Sequence, residues 1–139
     1  MPKLSDRVQT FTDSVIRRMT RISDEHGAIN LSQGFPDFDP PKPILDALAK
    51  VAYEGPHQYS VTYGAENLRE ALARKASKAM QREIDPETQV VVTCGGTEAM
   101  MGVVMSICNP GDKIMVFSPF YENYSADAIL SGAEPIFIP

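Results

Sequence analysis

V-V-V-T-C-G-G-T-E-A-M-M-G-V-V-M, residues Val90 to Met105, is the stretch on which the reading of this chain turns. Three β-branched apolar residues, Val90 to Val92, predict a buried strand. Gly95 and Gly96 then break the chain, and Glu98 to Met105, apolar at most positions and free of proline, predicts a helix. A strand, a Gly-Gly turn and a helix start make an anion site, because the first amides of a helix lack intrahelical partners and the helix dipole favours negative charge there. Glycine lets a ligand approach the backbone closely. Thr97 adds a hydroxyl beside those amides and is equally suited to capping the helix. A phosphate held by Gly95, Gly96 and Thr97 is one reading. A tight strand-to-helix connection is the other, and this stretch alone leaves both open. It is neither a Walker A loop nor G-x-G-x-x-G.

Downstream, Asn109-Pro110-Gly111-Asp112 is a turn, Lys113 to Phe117 a second strand, and Ser118-Pro119 a breaker. Tyr121 to Leu130 predicts another helix, closed by Ser131-Gly132, and Ala133 to Ile138 a third strand. Strand, helix, strand, helix, strand implies a mainly parallel sheet with helices on its faces, and ligands gather at the C-terminal ends of such strands. The Gly95–Thr97 and Ser118–Tyr121 loops are expected to face one crevice, where Tyr121 would lay its ring against whatever the phosphate carries. The last strand, apolar at Ile136-Phe137-Ile138, would form a raw edge, so the chain is expected to be the front portion of something longer.

Upstream, Val8, Phe11, Val15, Met19 and Ile22 draw one apolar stripe and predict a helix over Ser5 to Ser23, with Arg17, Arg18 and Arg21 on a solvated face. Ile29 to Leu31 is a candidate short strand. The proline- and aspartate-rich run to Pro43 is loop chemistry, in which Gly34 offers bare backbone. Pro43 to Glu54 predicts a helix burying Ile44, Leu45, Leu48 and Val51 or Ala52, ended by Gly55-Pro56. A polar, aromatic loop carrying His57, Tyr59 and Tyr63 follows. Glu66 to Arg82 predicts a helix lined by Leu68, Ala71, Leu72, Ala76 and Ala79, with charges on its other side.

The 139 residues fit one domain of ordinary size, and 43% hydrophobic with 22% charged residues is a globular composition. A net charge of −5 without a basic run argues against a nucleic-acid partner. No apolar run approaches a membrane span, and the N-terminus shows no secretory h-region. Cys94 and Cys108 make neither a disulfide nor a metal framework. They are expected to be buried thiols in a reducing, cytoplasmic compartment.

Five stretches together, I-N-L-S-Q-G-F-P-D-F, H-Q-Y-S-V-T-Y-G-A-E-N-L-R-E-A-L, T-C-G-G-T-E-A-M, N-P-G-D-K-I-M-V and S-P-F-Y-E-N-Y, resemble the N-terminal part of a class I/II aminotransferase, a fold-type-I enzyme dependent on pyridoxal 5′-phosphate. The resemblance implies an α/β fold: N-terminal helices, then the first strand–helix units of a mainly parallel sheet. It implies a helical arm over residues 1–28 and a partial aminotransferase domain over residues 29–139. Gly95, Gly96 and Thr97 match the cup for the cofactor phosphate, and Tyr121 the aromatic residue stacked on the pyridine ring. Tyr59 matches the tyrosine that crosses a homodimer interface to the neighbouring phosphate, and Gly34 the backbone beside the substrate carboxylate.

The implied activity moves an amino group between an amino acid and a 2-oxo acid. The family's cofactor-binding lysine, the aspartate at the ring nitrogen, the asparagine at the ring oxygen and the arginine for the substrate carboxylate all fall beyond Pro139. None of Lys3, Lys42, Lys50, Lys75, Lys78 or Lys113 stands in the matching motif. The chain by itself is therefore expected to carry no catalytic residue. The alternatives are a non-catalytic phosphate-binding or dimerising remnant, or the front of a fold-type-I carbon–sulfur lyase or aminocyclopropane-carboxylate synthase.

Overall fold

The computed structural model describes residues 3–139. The chain divides into two compact units, one formed by the described part of Met1–Phe11 together with Ser60–Pro139, the other by Thr12–Tyr59.

The larger unit holds a 3-10 turn (Asp6–Val8), helices α3 (Glu66–Met80), α4 (Gly95–Ile107) and α5 (Asn123–Ser131), and strands β1 (Lys113–Phe117) and β2 (Glu134–Ile138). The strands pair in parallel, Lys113 opposite Glu134 through Phe117 opposite Ile138. Helix α5 is the crossover between them and packs on both strands, on α4 and on the 3-10 turn. Ala128 allows that close approach. It is 0% exposed, and with Val104, Val116 and Ala133 it belongs to the small apolar core. The turn signals work as the sequence suggests. Gly132 ends α5 at φ +86°, and the Ala133 N–H donates to Ala128 O at 2.9 Å, a Schellman-type closure. Beside it, in the turn that leads into β1, the Asn109 N–H donates to the Asp112 carboxylate at 2.7 Å and Asp112 N–H returns to Asn109 O at 3.0 Å.

The expected strand over Val90–Val92 does not form. A strand is defined by its ladder, and the sheet contains β1 and β2 only. Val92 makes one bond of that kind, N–H to Tyr63 O at 2.9 Å. Helix α4 begins at Gly95 rather than after the glycines, so Gly95, Gly96 and Thr97 form its first turn. On α3 the buried residues are Arg69 and Ala73, while Leu68 and Leu72 are exposed. Of the apolar stripe there, Leu68, Ala71, Leu72 and Ala79 are exposed and Ala76 is half-buried. Cys94 is exposed and Cys108 half-buried, both as free thiols, so neither is the buried thiol expected. Cys94 stands at the N-cap of α4 instead of closing a buried strand.

The smaller unit contains α1 (Val15–Glu25) and α2 (Lys42–Glu54). The single helix expected over Ser5–Ser23 is broken. Ser14 caps α1, its hydroxyl accepting from Arg17 N–H at 3.4 Å, and a cap needs non-helical backbone before it. Pro43 sits in the first turn of α2, as its missing N–H allows. Ile29–Leu31 has no strand partner among the described residues and is irregular. Ile44, Leu45, Leu48 and Val51 are exposed, because no element of this unit packs on α2.

Candidate functional site

The entry to α4 is built from local hydrogen bonds. Cys94 has φ −75° and ψ +71°, the centre of an inverse γ-turn, and Gly95 N–H accordingly donates to Thr93 O at 2.8 Å. The Thr93 hydroxyl closes the same turn by donating to Gly95 O at 2.9 Å. Gly95 itself lies at φ +77°, a conformation that favours glycine. The Glu98 carboxylate accepts from the Cys94 N–H, satisfying the N-cap amide and placing an acid in the first turn. The N–H groups of Gly96 and Thr97 then have no partner among the described residues. A Cβ added at Gly96 would meet no atom within 4 Å, so this backbone borders open space.

Thr97 is tied across to the next crossover. Its Oγ1 accepts from Asn123 Nδ2 at 3.1 Å. A hydroxyl that accepts from an amide keeps its own proton free to donate. Asn123 opens α5, two residues past Tyr121, which lies in the connection before the helix rather than in it. The preceding residue anchors that connection. The Phe120 ring stacks on Phe137 of β2 with centroids 5.1 Å apart and planes 13° from parallel. Tyr121 meets Tyr124 edge-on, at 6.0 Å and 82°.

Gly96, Thr97, Met100, Tyr121, Asn123 and Tyr124 line one cleft of about 370 Å³. Small-ligand pockets start at about 300 Å³. Two free amides and a free hydroxyl proton at a helix N-terminus suit a dianion, and the neighbouring phenol ring suits a flat partner. These donors and this ring fit a phosphorylated aromatic cofactor. Gly95 is outside the cleft lining, and both its backbone groups are bonded to Thr93. Tyr59 and Gly34 belong to the smaller unit. Tyr59 is fully exposed, and a Cβ at Gly34 would meet nothing within 4 Å. Asn123, Met100 and Tyr124 also line this cleft, and no sequence motif singles them out. The signal for Asn123 was present in its place two residues after Tyr121, in S-P-F-Y-E-N-Y.

The profile of the aminotransferase class I and II family matches residues 26–139, and the chain belongs to this family of pyridoxal-phosphate-dependent enzymes. It is 36% identical over 119 residues to the methionine aminotransferase of Escherichia coli, covering 86% of this chain and 31% of that protein. The solved structure of N-succinyldiaminopimelate aminotransferase from Mycobacterium tuberculosis superposes with a TM-score of 0.89 at 34% identity, over 99% of this chain and 36% of that one. The solved Escherichia coli methionine aminotransferase gives a TM-score of 0.90 at 31% identity, again over 99% of this chain and 36% of the other. The chain thus spans about a third of the length of the curated relatives it matches, 34%, 31% and 30% for three of them. The fold-type-I α/β architecture expected from the sequence is the architecture of these neighbours. Among the described residues, no helix is long and apolar enough to cross a membrane.

Proposed function

We propose that this chain supplies the phosphate cup and one ring wall of a pyridoxal 5′-phosphate site in an aminotransferase that moves an amino group between an amino acid and a 2-oxo acid. The observation that carries the reading is the common cleft of Gly96, Thr97 and Tyr121. In it, the Gly96 and Thr97 amides and the Thr97 hydroxyl donate to the phosphate. Gly95 supplies the left-handed turn that aims them, and Asn123 holds the hydroxyl oxygen so that its proton faces the ligand. Tyr121 lies against the pyridine ring. The bound cofactor supplies the electron sink for the reaction at the amino acid's Cα. This chain's contribution is binding and orientation.

The same reading gives Gly34 a place beside the substrate carboxylate and makes the protein a homodimer, in which Tyr59 reaches the partner's phosphate. The full exposure of Tyr59 supports that assignment. The free thiols of Cys94 and Cys108 support a reducing, cytoplasmic setting. Helical arm residues 1–28 and family domain residues 29–139 are the proposed division of roles along the chain.

The test is a comparison of two ligands. The chain is titrated with pyridoxal 5′-phosphate and with pyridoxal, which lacks the phosphate, following absorbance and tyrosine fluorescence. Tighter binding of the phosphorylated compound by at least about tenfold is expected, since two or three charge-assisted hydrogen bonds separate the two ligands. Equal affinities would sink the reading.

A further inference from the structure

Arg69 stands in the first turn of α3 and is only 3% exposed, which is unusual for an arginine and demands partners. Its Nε donates to Gly64 O at 3.0 Å. Its Nη1 donates to Pro86 O at 2.6 Å and to the Glu87 carboxylate at 2.9 Å. The guanidinium also lies over the Tyr63 ring, 4.8 Å from its centroid. One side chain therefore ties together the Val61–Gly64 loop that precedes α3 and the Asp85–Gln89 turn that follows it.

Both of those pieces bear on the segment that enters the phosphate cup. The Asp85–Gln89 turn leads directly into Val90–Thr93. That turn is closed by its own hydrogen bonds: Asp85 accepts from the Thr88 hydroxyl at 2.6 Å and from the Glu87 N–H at 2.9 Å. From the side, the Val92 N–H donates to Tyr63 O at 2.9 Å. Gly64, at φ +113°, lies so close to Val92 that an added Cβ would stand 2.4 Å from its Cγ2. Among the described residues, no strand ladder holds Val90–Thr93. Its position is set by the turn behind it and the loop beside it, and Arg69 grips both.

We infer that Arg69 is a positioning residue for the cup. By clamping Tyr63–Gly64 and Pro86–Glu87 it fixes Val92 and Thr93, and Thr93 in turn fixes Gly95 and the direction of the Gly96 and Thr97 amides. This inference rests on the reading of those amides as the phosphate site. A lysine at this position would keep the charge and lose the planar fork that reaches three acceptors and covers the tyrosine ring.

The test measures affinity for pyridoxal 5′-phosphate and for pyridoxal in the unaltered chain and in Arg69→Lys, Arg69→Gln, Gly64→Ala and Ala73→Gly, with thermal melting of each. The unaltered chain is expected to prefer the phosphorylated ligand. Arg69→Lys and Arg69→Gln are expected to lose about tenfold in that preference, with pyridoxal affinity unchanged, on the scale of one misplaced charge-assisted hydrogen bond. Gly64→Ala keeps Arg69 but pushes Val92 away, and the same loss is expected. It decides the question if the Arg69 variants do not fold. Ala73→Gly weakens the same helix and is expected to lower the melting temperature while leaving the preference intact. A retained preference in folded Arg69 variants, or in Gly64→Ala, overturns the positioning role and leaves Arg69 a stabilising residue only. No preference in the unaltered chain overturns the phosphate reading and this inference with it.

Discussion

Asp127 is the one buried side chain among the described residues with an oxygen that finds no hydrogen-bond partner. It sits on α5 at 4% exposure, and its Oδ2 is unsatisfied. Burial pushes its carboxyl above the ordinary value of 3.8. The native state therefore holds this proton to higher pH than the unfolded chain does. Between 3.8 and the raised value the folded form binds more protons, so stability falls as pH rises through that window. Above it the cost of the buried charge is present in full. An unsatisfied buried polar group costs about 1–3 kcal/mol. Asp127→Asn removes the charge but leaves an amide to be satisfied, so a stabilisation at the lower end, about 1 kcal/mol at pH 7.5, is expected. Urea unfolding of both proteins across pH is the assay, and the difference between them cancels every other titrating group. The gain should shrink as pH falls through the raised Asp127 value and be absent below the ordinary one. A gain that does not change with pH, or an Asp127→Asn protein less stable at pH 7.5, would refute the reasoning.

Other consequences follow from the site and its supports. Thr97→Val removes the hydroxyl and strands the Asn123 amide, so affinity for pyridoxal 5′-phosphate should fall by about tenfold, with pyridoxal much less affected, as read by titration. Tyr121→Leu should weaken both ligands alike, by about three- to tenfold from the loss of ring stacking, and Tyr121→Phe should not. In that case the ratio of the two affinities stays constant, which separates the ring wall from the phosphate cup. Gly132→Ala forces a side chain to φ +86° with its Cβ 3.3 Å from Pro110. A loss of about 1–2 kcal/mol in chemical denaturation is expected.

Local chemistry was the legible part of the fold. Strand β1 runs from Lys113 to Phe117 as its flanking turns suggest, and Gly132 stops α5 where a left-handed residue is needed. What failed were the readings at Val90–Val92 and on the apolar stripes of α2 and α3, which needed a neighbour to cover them. Val90–Val92 has the composition of a strand, yet strand identity lies in the neighbour that completes the ladder, and one bond to Tyr63 is not a ladder. The stripes on α2 and α3 report which side is apolar and say nothing of what covers it. Leu48 and Leu72 are accordingly exposed, while the residue buried on α3 is an arginine. Periodicity files Arg69 with the solvated charges. Its burial depends on acceptors that arrive from two separate loops, and no pattern within the helix encodes them.

The site shows the same division one level down. That Gly96, Thr97 and Tyr121 meet in one cleft was legible because the Gly95–Thr97 and Ser118–Tyr121 loops are each expected at the end of a strand, facing one crevice. Their separate tasks were not legible. Gly95 looks like a third donor until its amide is found bonded to Thr93, and what remains for it is conformation: φ +77° turns the chain so that the next two amides point outward. Thr97 looks like a cap until Asn123 is found donating to it, which leaves the hydroxyl proton for a ligand. The two walls of the cleft are also held differently. The Tyr121 wall is fastened to the sheet through Phe120 on Phe137, while the approach to the cup hangs on the contacts gathered by one buried guanidinium. Changes near Arg69 should therefore move the phosphate end and spare the ring end. Conversely, Phe120→Leu should weaken both ligands together, because it loosens the wall that they share.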